Sequence, residues 1–429
     1  MKICIDDTFI TDNSLECEPG CFFLLCDTNA KFKDDAILRK ASIVNVDRAK
    51  ELLGIDENLK IVGITGTNGK TTTAALLAHM LNELGHKTAL CGTRGAFIAN
   101  ERIDQKALTT SQILTTLWYM QKATLAKCEY LVMEVSSHAI VQNRIEGLSF
   151  ALKIFTNISQ DHLDYHKSME EYARVKSSFF DDDTLKLINI DDELIKFNPK
   201  KSYTYSLKQS ADFAPISYDL KFGINASISA LGNVTNINSS LQGEFNLQNL
   251  LAALGAVTLL QKPEASKLSS AVKSFNGVEG RVEVVSTNPL VIVDFAHTPD
   301  GMQKVLNALR NLSLIVVFGA GGDRDRTKRA KMGAIAQKYA RLSIVTSDNP
   351  RSENPQDIVD EICSGMDMSR FVLKEVDRRE AIRIGLENLK DGEALIILGK
   401  GDEDYQEING IKHHFSDKEV VCELLKEKK

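Results

Sequence analysis

The sequence lacks the features that would indicate a membrane, secreted or nucleic-acid-binding protein. No run of about 18 apolar residues, the length that a transmembrane helix needs, occurs in the 429 residues. The N-terminus MKICIDDTFI carries acidic residues where a signal peptide would carry basic ones. The net charge of -6 argues against a broad nucleic-acid-binding face, which is usually strongly basic. We therefore expect a soluble, cytoplasmic protein that binds no nucleic acid and inserts into no membrane.

Cysteines are few and irregularly spaced. The chain has eight, and four of them, Cys4, Cys17, Cys21 and Cys26, lie in the first 26 residues. Secreted disulfide scaffolds have a denser and more even spacing, so we expect reduced thiols. A zinc site at Cys17, Cys21 and Cys26 is the alternative, but this segment has no CxxC pair and no nearby histidine.

Short apolar runs alternate with helical periodicity along most of the chain. IVGIT (61–65) precedes TTTAALLAHMLNELG (71–85), whose leucines and Met80 share one face, and KTALCGT (87–93) follows. This order predicts a βαβ unit. Further buried strands are predicted in YLVMEV (130–135), LKIFTN (152–157) and LKLINI (185–190). Together these segments indicate a parallel sheet.

The pattern changes near residue 200. Short alternating segments rich in Ser, Asn and Gly at 200–240 predict an antiparallel insertion, and a helix is predicted at 246–261. A second α/β series begins after GVEGR (277–281), with predicted strands LVIVDF, SLIVVFG, LSIVTS and ALIILG. We expect an α/β protein of three domains: residues 1–57 form a small α/β cap, 58–279 a central ATPase-like domain with a parallel sheet, and 280–429 a C-terminal Rossmann-like α/β domain. The first 57 residues are too few for another doubly wound domain.

The segment GITGTNGKT (63–71) is typical of a phosphate-binding loop. Its three glycines let backbone amides approach phosphate oxygens, and the loop ends at a helix N-terminus that favours negative charge. Lys70 is suited to the β and γ phosphates and Thr71 to Mg²⁺. The strict GxxxxGK[ST] spacing is not met, because the first glycine is Gly63. A glycine-rich structural turn is the alternative, but the flanking strand and helix favour an ATPase-like central domain.

Acidic and histidine residues follow two predicted strands, where α/β proteins collect their ligands. Glu134 lies at the end of YLVMEV, and TNISQDHLDYH (156–166) carries Asp161 and His162 just after the next strand. Magnesium prefers oxygen ligands and keeps several waters, so few protein ligands are needed. A histidine taken alone is more often structural than a ligand. The clustering at this strand end favours a ligand role for His162.

The motifs together resemble the Mur ligases from about residue 60 to the C-terminus, and only weakly before it. They are GTNGKTT (66–72), MEVSSHAIVQNR (133–144), FTNISQDHLDYH (155–166), GEFNLQNLLAA (243–253), GVEGRVE (277–283), VDFAHTPD (293–300), FGAGGDRDRTKR (318–329), SDNPR (347–351) and GKGDEDYQ (399–406). The resemblance implies an ATP- and Mg²⁺-dependent amide ligase of peptidoglycan synthesis. It would add the third residue to UDP-MurNAc-L-Ala-D-Glu through an acyl phosphate, because a carboxylate is a poor electrophile until it is activated.

The resemblance also implies roles for individual residues. The catalytic and metal-binding set is Thr71, Glu134, His162 and Lys176, the last as a carbamate whose oxygens could ligate a cation, together with Lys70 as a catalytic residue. The ATP-binding set is Gly66, Thr67, Asn68, Gly69, Lys70, Thr71, Thr72, Asn246, Asn249, Arg281, Asp294 and His297. The muramoyl-peptide set is Ser14, Thr109, Thr110, Ser136, Gln142 and Arg144. Without the resemblance, Lys176 reads as an ordinary lysine on an amphipathic helix.

The family divides by the amino acid that is added, meso-diaminopimelate or L-lysine. Asn349 and Arg351 of DNPR resemble the diaminopimelate branch, in which an Arg can hold the distal carboxylate through two hydrogen bonds, and Gly399 and Glu403 would hold the amino end. The alternative interpretation is that DNPR is a surface turn with a solvated Arg351. Because Arg281 follows the boundary near residue 279, ATP is expected between the central and C-terminal domains, with domain closure completing the site.

Three departures from the family pattern stand out, namely Asp402 in place of His, Ser111 in place of Pro or Gly, and Leu15 in place of Arg. Three rival hypotheses remain: the lysine-adding branch, a ligase like folylpolyglutamate synthase, and a nucleotide-dependent switch that does not ligate. The segments DNPR and GKGDEDYQ argue against folylpolyglutamate synthase, and the retained metal and acceptor motifs argue against a switch. A monomer is expected.

Overall fold

The computed structural model describes residues 1–105, 108–221 and 223–427. Within these ranges the chain forms three sheets of four or more strands, one after another along the sequence, and a two-stranded hairpin. Helices pack on these sheets. This arrangement confirms the predicted α/β fold of a small N-terminal domain, a central sheet domain and a C-terminal Rossmann-like domain.

The N-terminal sheet is small and packs against its larger neighbour. Its elements are β1 (Lys2–Ile5), β2 (Thr8–Thr11), β3 (Phe22–Leu24), β4 (Ser42–Val44), α1 (Lys33–Leu38) and α2 (Val46–Leu52), with 3-10 turns at Ser14–Glu16 and Asp27–Phe32. The strands lie in the order β1-β2-β3-β4. Val46 and Ala49 of α2 share one apolar core with residues of the central sheet, so the cap is fixed to that domain. All eight cysteines are free thiols.

The central sheet is the largest element of the described chain. Its strands are β5 (Lys60–Thr65), β6 (Thr88–Gly92), β7 (Gly95–Ile98), β8 (Glu101–Asp104), β9 (Tyr130–Glu134), β10 (Phe150–Phe155), β11 (Lys186–Asn189), β12 (Ser202–Tyr205), β13 (Phe213–Asp219), β14 (Ile224–Ala230) and β15 (Asn233–Ser239). Its helices are α3 (Lys70–Glu83), α4 (Ile113–Leu125), α5 (Ser137–Val141), α6 (Leu163–His166), α7 (Met169–Ser178), α8 (Glu244–Gln261) and α9 (Ala265–Lys273). The strand order is β15-β14-β13-β12-β11-β10-β5-β9-β6-β7-β8.

The predicted parallel core of the central sheet is confirmed. The antiparallel insertion predicted at 200–240 is confirmed for β13, β14 and β15 but not for β12, which runs parallel to β11. Strands β11, β10, β5, β9 and β6 run parallel, and β13, β14 and β15 are antiparallel. Burial explains the difference: β9 is buried at every residue, whereas β14 alternates between buried and exposed positions. The predicted βαβ unit forms, with the fully buried Leu76, Leu77 and Leu81 of α3 facing the core. Strand β9 lies between β5 and β6, so the two strands of that unit are not neighbours.

The C-terminal domain has a second, mostly parallel sheet, in which only β16 of the described strands runs antiparallel to its neighbour. Its elements are β16 (Glu283–Thr287), β17 (Leu290–Asp294), α10 (Pro299–Ala308), β18 (Ser313–Phe318), α11 (Arg329–Tyr339), β19 (Ala340–Val345), α12 (Pro355–Cys363), β20 (Val372–Lys374), α13 (Arg378–Glu387), β21 (Glu393–Leu398), β22 (Tyr405–Ile408), β23 (Ile411–His414) and α14 (Asp417–Glu427), with a 3-10 turn at Arg326–Lys328. The sheet order is β16-β17-β21-β18-β19-β20, and β22 and β23 form the hairpin.

The four predicted C-terminal strands correspond to β17, β18, β19 and β21, which are almost wholly buried. The short edge strands β16 and β20 and the β22–β23 hairpin were not predicted, because none of their residues is buried and they have no continuous apolar run. Within residues 1–105, 108–221 and 223–427, no helix combines the length and the apolar character needed to cross a membrane.

Candidate functional site

The glycine-rich loop joins β5 to α3 and is fastened to the loop that follows β10. Gly69 has φ 84° at the N-cap of α3, and Gly66 has φ 153°. A Cβ at Gly66 would collide with Thr156 Oγ1, so the close approach of the two loops requires glycine there. Asn68 N donates to Asn157 Oδ1 at 3.0 Å, and Thr156 Oγ1 donates to Asn68 O at 2.7 Å. The loop is thereby held in one shape at the carboxyl ends of two adjacent strands.

Lys70 begins α3 and points back along the loop. Its Nζ donates to the carbonyl oxygens of Gly66 and Thr67 at 2.8 and 2.9 Å. Burial lowers the pKa of Lys70, while the carboxylates of Glu134 and Asp161 oppose that shift. The geometry is that of a cation placed at a helix N-terminus, where a phosphate group would be stabilised by both.

Glu134 and Thr71 form a pair of oxygen donors that fits a magnesium ion. Glu134 is the last residue of β9 and is 2% exposed. Its Oε2 accepts from Thr71 Oγ1 at 3.0 Å, and its Oε1 accepts from the backbone N of Thr93 at 2.9 Å. Among the described residues, no group of three or more His, Cys, Asp and Glu side chains could hold a metal. A hard ion that keeps most of its waters fits this donor set best.

His162 and Lys176 lie on the other side of the loop, around Tyr172. His162 Nε2 is 3.3 Å from Asp161 Oδ2, and burial lowers the pKa of His162 to about 3, so a neutral imidazole is available at neutral pH. Lys176 is 1% exposed, and its Nζ lies 4.6 Å from the centroid of the Tyr172 ring. In the described chain its amine has no hydrogen bond or ion pair.

The environment of Lys176 suits a neutral amine better than an ammonium ion. Burial and the positive charge of Lys70 hold the pKa of Lys176 well below its ordinary value, although Asp161 acts in the opposite direction. A neutral amine is the form that can react with carbon dioxide to give a carbamate. These observations fit the predicted carbamylation, which stays a prediction.

The central and C-terminal domains meet at the phosphate loop. Arg281 Nη2 donates to Thr71 Oγ1 at 3.4 Å, and its guanidinium lies 4.0 Å from the centroid of the Phe295 ring. Asn68 Nδ2 donates to Asp300 Oδ2 at 2.8 Å. The Arg281–Thr71 and Asn68–Asp300 contacts both join the central domain to the C-terminal domain, so the two domains are closed upon the phosphate loop.

Asn246, Asn249, Asp294 and His297 of the predicted ATP-binding set line the same cleft. Asn249 Nδ2 donates to Asn246 Oδ1 at 3.1 Å on α8. Asp294, at the end of β17, accepts from the backbone N of Val282 at 2.8 Å, and burial raises the pKa of its carboxyl group. His297 donates from Nδ1 to the carbonyl oxygen of Phe295 at 2.9 Å, which leaves Nε2 as an acceptor.

The opposite wall of the site is built on the ends of β19 and β21. Asn349 Nδ2 donates to Glu403 Oε2 at 2.9 Å, and the buried Lys400 Nζ lies 3.1 Å from both Asn349 Oδ1 and Glu403 Oε2. Gly399 has φ 116°, and a Cβ there would collide with Asp348 Oδ2. Arg351 donates from Nη1 to Gly322 O at 2.7 Å. Positively and negatively charged side chains therefore converge at this wall of the site.

One cleft of about 380 Å³ contains most of the predicted site residues. Those that line it are Thr67, Asn68, Gly69, Lys70, Thr71, Thr72, Thr109, Glu134, His162, Asn246, Asn249, Arg281, Asp294, His297, Asn349, Arg351, Gly399 and Glu403. Those outside its lining are Gly66, Lys176, Ser14, Thr110, Ser136, Gln142 and Arg144. The structure thus brings the predicted ATP and amino-acid sets into one space.

Most of the predicted muramoyl-peptide set forms a second group beside the cleft. Thr110 Oγ1 donates to Glu134 O at 3.0 Å, Ser136 N donates to Thr110 Oγ1 at 2.9 Å, and Arg144 Nη1 donates to Thr110 O at 2.9 Å. Gln142 Oε1 accepts from Arg144 Nε at 3.0 Å. Ser14 is apart from this group, buried in the N-terminal domain.

Several lining residues were not singled out from the sequence. Examples are Thr93, Asn157, Lys328 and Asp348, and Asp300 joins them through Asn68. All except Thr93 fall inside motifs that the sequence shares with the family, so their position in those motifs was the available signal. Thr93 could have been found only from the strand order, which puts β6 beside β9.

A phosphate loop that faces a second α/β domain across one cleft defines a nucleotide-dependent enzyme whose domains share a site. Residues 64–257 match the Mur ligase middle domain, and residues 280–401 match the Mur ligase glutamate ligase domain. The chain belongs to the Mur ligase family.

Individual relatives are similar over nearly the whole chain. The chain is 46% identical to the UDP-N-acetylmuramoyl-L-alanyl-D-glutamate–2,6-diaminopimelate ligase of Wolinella succinogenes, covering 98% of this chain and 96% of that protein. It is 46% identical to the protein of the same name from Helicobacter pylori (strain J99), covering 96% and 95%. A solved structure of a ligase of that name has a TM-score of 0.69 at 31% identity and covers 98% of this chain and 94% of its own.

Proposed function

We propose that this protein is the ATP-dependent ligase that joins meso-diaminopimelate to UDP-MurNAc-L-Ala-D-Glu in peptidoglycan synthesis. The observation that carries this function is the single cleft in which the phosphate loop with Lys70 faces Asn349, Arg351 and Glu403. An enzyme that activates a carboxylate with ATP and then presents it to an amine needs both walls within reach of one another. The names of the relatives support the same substrates.

The proposed chemistry begins with transfer of the γ-phosphoryl group of ATP to the D-Glu carboxylate. The amine of diaminopimelate then attacks the acyl phosphate, and phosphate leaves. Catalysis of this kind is mostly positioning and charge stabilisation. Lys70 at the N-terminus of α3 and Arg281 from the other domain supply positive charge on two sides of the phosphates, and the contact between Asn68 and Asp300 holds those sides together.

Magnesium would be held by Thr71 and Glu134 at the first position and by His162 and carbamylated Lys176 at the second. When bound, it would neutralise charge on the phosphate oxygens. The remaining polar groups have binding roles in this proposal. Asn246, Asn249, Asp294 and His297 contact the nucleoside. Thr109, Thr110, Ser136, Gln142 and Arg144 contact the muramoyl peptide, and Ser14 contacts the uridine.

We assign residues 1–57 to UDP-substrate binding, 58–279 to ATP binding and 280–429 to amino-acid binding. Each range contains one of the three sheets of four or more strands. We also propose a monomer. A cytoplasmic location is proposed because the reaction consumes ATP.

The test is phosphate release by the purified protein with ATP, Mg²⁺ and UDP-MurNAc-L-Ala-D-Glu. We expect release to depend on meso-diaminopimelate and to be much slower with L-lysine. Omission of the muramoyl dipeptide is the control for unspecific ATP hydrolysis. If neither amino acid stimulates release, the ligase function is wrong. If lysine is preferred, the ligase function stands and the role of Arg351 is wrong.

A further inference from the structure

A fully buried ion pair joins the starts of two helices in the C-terminal domain. Arg378 is the first residue of α13 and Asp417 the first of α14, and both side chains are 0% exposed. Arg378 Nε donates to Asp417 Oδ1 at 2.7 Å, and Nη2 donates to Asp417 Oδ2 at 2.8 Å. The contact is therefore a bidentate ion pair between the guanidinium of Arg378 and the carboxylate of Asp417.

The other hydrogen bonds of Arg378 reach two strand ends. Nη1 donates to Ser347 O at 3.2 Å, and Nη2 donates to Leu398 O at 3.0 Å. Ser347 immediately precedes Asp348 and Asn349, and Leu398 immediately precedes Gly399. These are the starts of the two segments, 348–351 and 399–403, that form the proposed amino-acid site.

The two strand ends are not neighbours in the sheet. The order β17-β21-β18-β19 puts β18 between β21 and β19, so no ladder hydrogen bond joins them directly. The single side chain of Arg378 joins the two strand ends, because it donates to a carbonyl oxygen of each. Its charge also acts on the site, because Lys400 and then Arg378 hold the pKa of Asp348 below its ordinary value against the raising effect of burial.

Stability alone does not account for this pair. Removing two charges from water costs several kcal/mol per ion in proteins, and well-packed apolar residues of similar volume often replace a buried pair without loss of stability. A guanidinium offers what an apolar pair cannot, namely donors fixed in one plane that can hold a carboxylate and two carbonyl groups together.

We propose that Arg378 and Asp417 are positioning residues for the amino-acid substrate, setting the distance between the segments 348–351 and 399–403. The identity of that substrate rests on the proposed function. The tie, by which we mean the link that Arg378 makes between the two segments, rests on its hydrogen bonds to Ser347 O and Leu398 O. A misplacement of about 1 Å in a binding site can cost about 100-fold in rate, so loss of the tie acts on the amino-acid site before any other.

Two variants test the proposal. Arg378→Lys keeps the charge but cannot reach Asp417 and both carbonyls at once. The double variant Arg378→Met with Asp417→Leu removes both charges, so it leaves no buried ion unpaired and keeps the apolar packing. The matched control is Arg379→Met. Arg379 also joins α13 to α14, through Glu423 at 2.6 Å, but it is exposed and has no contact with a strand end.

The first measurement is the KM for each substrate. In both test variants the KM for meso-diaminopimelate should rise about tenfold or more, as expected for a displaced binding group. The KM for ATP should stay within about twofold, because most of the proposed ATP contacts, the phosphate loop included, lie on the central domain. Arg379→Met should change neither. An unchanged KM for diaminopimelate, or an equal rise in both constants, overturns the proposal.

The second measurement is amide hydrogen exchange without substrates, which does not depend on the enzyme being a ligase. Peptides covering 347–351 and 399–406 should exchange faster in the test variants, while peptides covering 66–72 should not. Unchanged exchange in both segments refutes the tie. If the wild type shows no release with diaminopimelate but these peptides respond as expected, the proposed function fails and the tie between the strand ends stands.

Discussion

The substitution Arg351→Lys isolates the role of the guanidinium in choosing the amino acid. Arg351 has φ 53°, and its backbone N donates to Glu407 O at 3.0 Å, so the main chain fixes where the side chain starts. Its Nη1 donates to Gly322 O, and its Nε lies 3.3 Å from Glu407 Oε2. Nη2 has no such contact within the described chain. It is the group that can meet the distal carboxylate of diaminopimelate.

The magnitude follows from the number of hydrogen bonds lost. Lysine keeps the charge but has no planar fork, so about one charge-assisted hydrogen bond is lost, worth about 1.5–3 kcal/mol. At about 1.4 kcal/mol per tenfold, that loss corresponds to about 10- to 150-fold in kcat/KM. The side chain of Arg351 is 22% exposed. Solvent screening therefore favours the lower end, about 10- to 30-fold.

The assay is phosphate release at varied meso-diaminopimelate and at varied L-lysine. Lysine lacks the distal carboxylate, so its kcat/KM should change little and the preference for diaminopimelate should fall by the same factor. Arg326→Lys is the control, since Arg326 is exposed in the same domain and pairs with Glu361. An Arg351→Lys variant that keeps its full preference would refute the assignment of the carboxylate to this residue.

Three further outcomes are expected. Lys176→Ala should lower kcat about 100-fold, and phosphate release should be partly restored by a short-chain carboxylate but not by bicarbonate. Asp402→Ala and Arg94→Ala should each raise the KM for ATP about threefold. Arg94 Nε lies 3.9 Å from Asp402 Oδ2 across the domain interface, so the double variant should raise this KM no further than either single variant does. Glu353→Gln should lower Tm near neutral pH. The hydrogen bond from Arg329 lowers the pKa of Glu353 from 4.5 to about 2. The ionised carboxylate therefore stabilises the fold above pH 4.5, and this stabilisation is lost as the pH falls towards 2.

Each of these outcomes has a result that contradicts it. Full activity of Lys176→Ala would exclude the carbamate role. Additive effects of the Asp402 and Arg94 substitutions on the KM for ATP would show that the two side chains do not act as a pair. A difference in Tm between the wild type and Glu353→Gln that stays constant from neutral pH down to acid pH would mean that ionisation of Glu353 does not contribute to stability.

The sequence by itself determined the features that depend on near neighbours in the chain. The phosphate loop needs glycines, Lys70 and Thr71 at short spacing between a strand and a helix, and that local order was predictable. Strands buried on both faces, such as β9 and β18, were recognisable from their continuous apolar runs. The shared motifs added the family, and with it the expected roles of Arg281 and Arg351.

Only the tertiary structure decided which distant residues meet. Strand order put Thr93 beside Glu134 and left β18 between the strands that Arg378 ties together, and no local pattern encodes strand order. The burial of Lys176 was likewise invisible, because an amphipathic helix does not reveal what packs against its polar side. The contact between Asn68 and Asp300 joins residues 232 positions apart, so it exists only where the two domains close on each other.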